Sequence, residues 1–312
     1  MTVRDAQIRG RSGPILATAV IAGGFFVLAL VGLGLSRSHG DVAAVWPATA
    51  FAVVTLWRRP DVDLAPALVA IVCAAFGAIV ASGSDLELAA ALALVDGLEV
   101  WLALVGLRWF GERRLDRSIL VFLGALLVVG VAAPVVGASL GAAAITRATG
   151  ADFFSVWSTW WVGNAFGAAL VMPIAASATR RRLRAIWNDR ALVEATILTV
   201  AAAVAVVATV THIGQPNLLM AIPVMIAAVR LNPLAAAALG SATVVSVIGA
   251  SFVGVPLPTS GTIAAAVFGP WSSATVLLPY CISLLIDELG HEREKIAASE
   301  RHFRHVMDRS PF

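Results

Sequence analysis

The chain has 312 residues, of which 59% are hydrophobic and only 13% charged, with a formal net charge of +3. Its mean hydropathy is +0.89, whereas a soluble domain carries about a quarter charged residues. That composition excludes a water-soluble globular enzyme and points to an all-α integral membrane protein, a polytopic helical bundle.

A bilayer-spanning helix needs about 20 mostly apolar residues. Ten such runs can be drawn, at 14–35, 42–58, 64–82, 87–108, 118–146, 153–178, 191–211, 216–230, 232–254 and 268–288. Ahead of the first, "MTVRDAQIRGRSGP" holds Arg4, Arg9 and Arg11 and no small-residue cleavage site follows, the pattern of an uncleaved signal-anchor. The second run contains Trp46-Pro47 and ends on Arg58 and Arg59. The third and tenth contain Cys73 and Cys281, which read as buried packing residues. The fourth, "LALVDGLEVWLALVG", carries Asp96 and Glu99 in an otherwise apolar stretch. The fifth is long enough to tilt, or to bend at Pro134. The sixth, "WWVGNAFGAALVMPIAAS", brings Trp160, Trp161 and Asn164. Pro173 and Pro223 are further candidate kinks. The turn "RLNP" separates the eighth and ninth runs, with Pro233 starting the next helix.

Basic residues favour the cytoplasmic side of a membrane protein. With the N-terminus placed there and the runs alternating, twenty of the 22 basic residues fall inside, and only Arg37 and Arg147 fall outside. The alternation puts both termini in the cytoplasm. The basic balance then belongs to the membrane face and its anionic lipids, and nucleic acid is not an expected partner. Glu194 lies within reach of the Arg180–Arg190 cluster and is expected to pair with it. The outer loops are too short to hold a folded domain, so any stimulus is read within the membrane or at its outer surface. His39 and His212, in those loops, are weak candidates for pH sensing or metal binding.

A charge at the bilayer centre costs about 2.5–3.5 kcal/mol on insertion scales, so Asp96 and Glu99 need partners, protonation or water. Their i, i+3 spacing puts them on one helix face. At about 1.5 Å per residue both lie near the midplane, and the same arithmetic gives Asn164 and Tyr280 a similar depth. A central polar cluster of Asp96, Glu99, Asn164 and Tyr280 is therefore expected, with Trp46, Trp160 and Trp161 above it. Such a pocket suits an unidentified small polar or cationic ligand, with tryptophan faces for cation–π contact. The same groups would also serve as interhelical glue or as a proton path. Trp157, Trp160 and Trp161 equally fit an interfacial aromatic belt. No cofactor and no metal site is implied.

After the last run, "IDELGHEREKIAASERHFRHVMDRSPF" repeats Ile282, Leu289, Ile296 and Phe303 every seven residues, with Leu285 and Val306 in matching positions. That is a short, imperfect coiled coil continuing out of the membrane, and it predicts a homodimer.

Three segments in order carry a resemblance: "VWPATAFAVVTLWRR" (residues 45–59), "WWVGNAFGAALVMPIAAS" (160–177), and "ASERHFRHVMDRSPF" (298–312), which is similar to the start of a PAS domain. Together they resemble the bacterial membrane-associated sensor family of the first type, the MASE family, over about residues 14–290. The resemblance implies three parts: a cytoplasmic N-terminus at 1–13, an integral-membrane sensor at 14–290, and a linker with the start of a PAS-like domain at 291–312. It implies a sensory module that is not itself an enzyme. Its output would lie beyond residue 312 and be a diguanylate cyclase (GGDEF), a phosphodiesterase (EAL) or a histidine kinase, in c-di-GMP or two-component signalling. The signal would pass through Ile282, Leu285, Leu289, Ile296 and Phe303. Gly163-Asn164 stands where a Gly-Asp pair is the more usual form. A secondary transporter with a polar midplane site, or a scaffold that only anchors a partner, are the competing expectations.

Overall fold

The computed structural model describes residues 3–36, 43, 45–109, 115, 118–186, 189–212, 217–252 and 270–308. Among the described residues all regular structure is helical. The helices are α1 (Val3–Ser36), α2 (Pro47–Arg58), α3 (Leu64–Ala81), α4 (Leu86–Arg108), α5 (Ile119–Leu127), α6 (Ala133–Thr149), α7 (Phe153–Ser177), α8 (Arg180–Ile186), α9 (Asp189–His212), α10 (Asn217–Arg230), α11 (Pro233–Phe252) and α12 (Pro270–Asp308). A π-helical turn, Val128–Ala132, joins α5 to α6 in one rod.

Seven of these units are long and apolar enough to cross a membrane: α1, α3, α4, the α5–α6 rod, α7, α9 and α12. The other three expected runs fall on α2 and α10, of 12 and 14 residues, and on α11, whose apolar stretch is the shorter Pro233–Gly249, so ten full crossings do not follow from helix length. Apolar side chains exposed on the bundle surface suit a lipid environment. On α9, Val193, Ile197, Val200, Val204 and Val207 recur at helical spacing and are all exposed. Cys73 is exposed as well, on the outer face of α3, which corrects its reading as a buried packing residue.

Local chemistry sets the boundaries. Gly83 and Gly150 adopt positive φ (100° and 76°) and turn the chain after α3 and α6. Asp85 and Asp152 cap the next helices, their carboxylates accepting the Leu88 and Ser155 N–H groups at 2.9 and 2.8 Å. The π turn precedes Pro134, which has no N–H to return to the preceding turn, so the helix widens there. Trp161 Nε1 on α7 donates to Val131 O within that turn at 3.1 Å. The expected bend at Pro134 thus takes the form of a π bulge bonded from α7.

The second run is shorter than expected. Helix α2 starts at Pro47, and Trp46 before it has φ −122° and ψ 81°. Proline disfavours helical conformation in the residue preceding it, so the chain reaches α2 in non-helical form. Backbone of that kind is tolerated at membrane depth only where protein covers it or a cavity adjoins it. Here α2 lies at the centre, packed on α1, α4 and α7, with eight of its 12 residues buried. Around it, α1 packs on α3, α3 on α4, α4 on α6 and α6 on α7. A second group, α9 to α12, joins through α7, where Ser241 Oγ on α11 donates to Leu170 O at 2.8 Å.

At the arginine-bearing end, Arg58 on α2 reaches the C-terminus of α7 and donates to the carbonyls of Ala175, Ala176 and Ala178. Glu194 bonds Arg230 at 2.8 Å and lies 3.6 Å from Arg190, so the expected arginine cluster supplies only its minor partner. Helix α12 is held where it leaves the bundle. Arg182 on α8 pairs with Asp287 at 2.6 Å, and Glu288 accepts the Ile119 N–H at 3.4 Å.

Candidate functional site

The polar residues singled out in the sequence are inside the bundle. Asp96, Glu99 and Asn164 are 1%, 0% and 3% exposed. They reach the core from α4 and α7, and Trp46 joins them from the start of α2. A cavity of about 40 Å³ is lined by Trp46, Asp96, Asn164 and Trp160. Leu33, Ile79, Leu92 and Ile145 surround it toward the arginine-poor end, where Ser84 stands at its edge. Asp96 is ten residues into α4, about 15 Å along the helix.

The backbone holds Trp46 from both sides. Its N–H donates to Gly163 O at 3.0 Å. A Cβ at Gly167 would strike the Trp46 carbonyl, and one at Gly32 would come within 2.7 Å of Val45 O. Glycine at these two positions lets α1 and α7 close on the Trp46-Pro47 turn. Thus the Trp-Pro and Gly-Asn-x-x-Gly segments, distant in sequence, form one contact. The N-terminus of α2 begins beside the cavity, and the positive end of its helix dipole complements carboxylates there.

Glu99 lies behind Asp96, turned toward α6 and α7. Trp160 Nε1 donates to Glu99 Oε2 at 3.3 Å. Gly137 makes room for that carboxylate, and Gly141 for the Trp160 ring. These two glycines, spaced four apart on α6, escape a reading that looks only for charged groups; their small-xxx-small spacing is the signal for close helix approach. Trp46 Nε1, Asp96 Oδ1 and Glu99 Oε1 are buried without a hydrogen-bond partner.

The three tryptophans of α7 all donate inward. Besides the bonds of Trp160 and Trp161, Trp157 Nε1 donates to Ser139 Oγ at 3.1 Å, and the Trp157 and Trp161 rings stack at 5.7 Å. They are part-buried, and their indole N–H groups serve the bundle, which distinguishes them from a belt bonded to headgroups. Trp161 does not line the cavity. Asn164 Nδ2 donates to Trp160 O at 3.3 Å, tying it to the turn above.

Tyr280 does not belong to the cluster. It is fully buried, but its hydroxyl accepts from Ser177 Oγ at 3.1 Å and its ring packs on Phe122 at 4.7 Å. Ser177 is the last residue of α7, thirteen residues beyond Asn164, or about 20 Å. Counting depth from an assumed outer end misplaced Tyr280, because packing against α5 and α7 sets the register of α12. The residues expected to relay a signal, Leu285, Leu289, Ile296 and Phe303, are exposed along α12, and Ile282 is half-buried. The stretch expected to begin a PAS-like domain continues α12 as helix to Asp308. His39 and the side chains of His212 and Val306 lie outside the described residues.

A family profile described as MASE1 matches residues 17–285. Comparison with curated proteins and with solved structures gives no match. The match runs from α1 into α12 and takes in every residue of the cavity. The chain therefore belongs to the MASE1 family, whose members are membrane sensory modules of signalling proteins.

Proposed function

We propose that this chain reads a stimulus at the Trp46–Asp96–Asn164–Trp160 cavity and passes it through α12 to a cytoplasmic output domain. That output is of diguanylate cyclase, phosphodiesterase or histidine kinase type, joined through a PAS-like segment. The arginine-bearing end faces the cytoplasm of a bacterial inner membrane, with both termini there. The single observation that carries the reading is the continuity of α12: one 39-residue helix holds Tyr280 and Leu284 in the core and exposes Leu289, Ile296 and Phe303 beyond it. Those residues recur every seven and suit a second copy of the same helix. Helix α7 connects the two regions, with Asn164 at the cavity and Ser177 on Tyr280.

The test joins the chain to a measurable output enzyme. Asp96→Asn is expected to change output at unchanged membrane level. One residue inserted after Gly290 turns the following helix by about 100° and uncouples output, whereas seven inserted residues keep the heptad phase and restore it. Output indifferent to both changes sinks the proposal. The transporter alternative rests on one observation, the discontinuous start of α2 beside a polar cavity, an arrangement also found in transporters. Solute uptake into vesicles, lost in Asp96→Asn, would decide for it.

A further inference from the structure

The composition of the cavity narrows what it takes, and this step rests on the sensory reading above. Asp96 is almost wholly buried with Oδ1 unpartnered. Among the described residues, no arginine, lysine or histidine lines the cavity. The basic residue of α4, Arg108, is twelve positions away, about 18 Å along the helix. A carboxylate so placed takes up either a proton or a counter-ion, because an isolated buried charge is far too costly. The α2 N-terminus supplies roughly half a positive charge, less than two carboxylates require.

Size and lining select the ion. One water needs about 10–15 Å³ of cavity, so 40 Å³ admits three or so heavy atoms. A divalent ion such as calcium brings two positive charges and takes about six to eight oxygen ligands, usually several carboxylates, whereas the one carboxylate that the described residues bring to the lining is that of Asp96. Trp160 lines the cavity, and the face of an aromatic ring attracts cations. We propose that the cavity binds a monovalent cation no bulkier than methylammonium, with Asp96 as counter-charge, the Asn164 amide as a second polar contact and Trp160 as the π contact. The ion arrives from the arginine-poor end past Ser84. On the other side the Trp46 N–H bond to Gly163 and the closely packed α2 block passage.

The experiment uses the full chain in nanodiscs and records tryptophan emission. Sodium, potassium, ammonium, methylammonium or tetramethylammonium replaces choline at constant ionic strength and pH. At least one small ion is expected to give a saturable change, and tetramethylammonium none. Asp96→Asn is expected to weaken the response about thirtyfold or more, and Asp61→Asn, in an exposed turn, to leave it unchanged. No saturable change with any small ion in the unmodified chain overturns the proposal. So does an equal response to tetramethylammonium, or a response that Asp96→Asn leaves intact. If ion binding fails while Asp96→Asn still alters cellular output, the sensory reading stands alone. If ions bind and output ignores Asp96, the sensory reading is the one that falls.

Discussion

Replacing Gly137 by alanine puts a methyl group where the Glu99 carboxylate lies. The new carbon would overlap Oε2 and stand 3.0 Å from Cδ. Helices α4 and α6 pack on each other there, so the side chain, and not the backbone, must yield. Glu99 then swings away from Trp160 and loses its 3.3 Å hydrogen bond. Overpacking costs about 1–3 kcal/mol, and a buried group stripped of its partner costs a further ~1–3 kcal/mol. A total destabilisation of about 2–6 kcal/mol follows, which at ~2–4 °C per kcal/mol lowers the unfolding midpoint in micelles by about 4–24 °C. Glu99→Ala removes the obstacle, so the methyl group at residue 137 should cost little in that background. The double-mutant cycle should therefore show coupling of more than about 1 kcal/mol. An unmoved midpoint for Gly137→Ala, or strict additivity in the double variant, would refute the steric argument.

Two smaller perturbations probe the ends of the bundle. Asp152→Ala removes the cap of α7 and should cost about 0.5–2 kcal/mol in thermal unfolding, with Asp152→Asn retaining most of the stability; equal losses in both would contradict a capping role. In the turn after α2, the Arg59 guanidinium donates to Asp61 at 2.8 Å and holds its carboxyl below the ordinary carboxylate range. The pair's small contribution is complete above the ordinary value and disappears as pH falls through the lowered one. An NMR titration should find Asp61 returned to the ordinary value in Arg59→Gln, and an unmoved midpoint contradicts the pairing.

The burial of Asp96, Glu99 and Asn164 was legible because polar groups in an apolar run have few affordable positions other than the bundle interior. The short α2 was also legible in principle, since a residue preceding proline resists helix, yet a hydropathy count passes over Trp46. Tyr280 could not be placed by counting, because its level depends on Phe122 and Ser177, two contacts remote in sequence. Arg58 entered the sequence reading only as positive charge. Its bonds to the end of α7 arise from tertiary packing, as do the roles of Gly137 and Gly141. The glycines that admit a carboxylate or an indole thus emerge only from the packed helices.

Helices α2 and α7 are riveted twice, near the cavity by the Trp46 N–H on Gly163 and at the far end by Arg58 on the carbonyls of residues 175, 176 and 178. Two fasteners at opposite ends forbid one rod from sliding along the other, as each would have to break before any travel began. Fastened at both ends, the two rods make a single plank, better built to tilt as a whole than to let either helix stroke along the other.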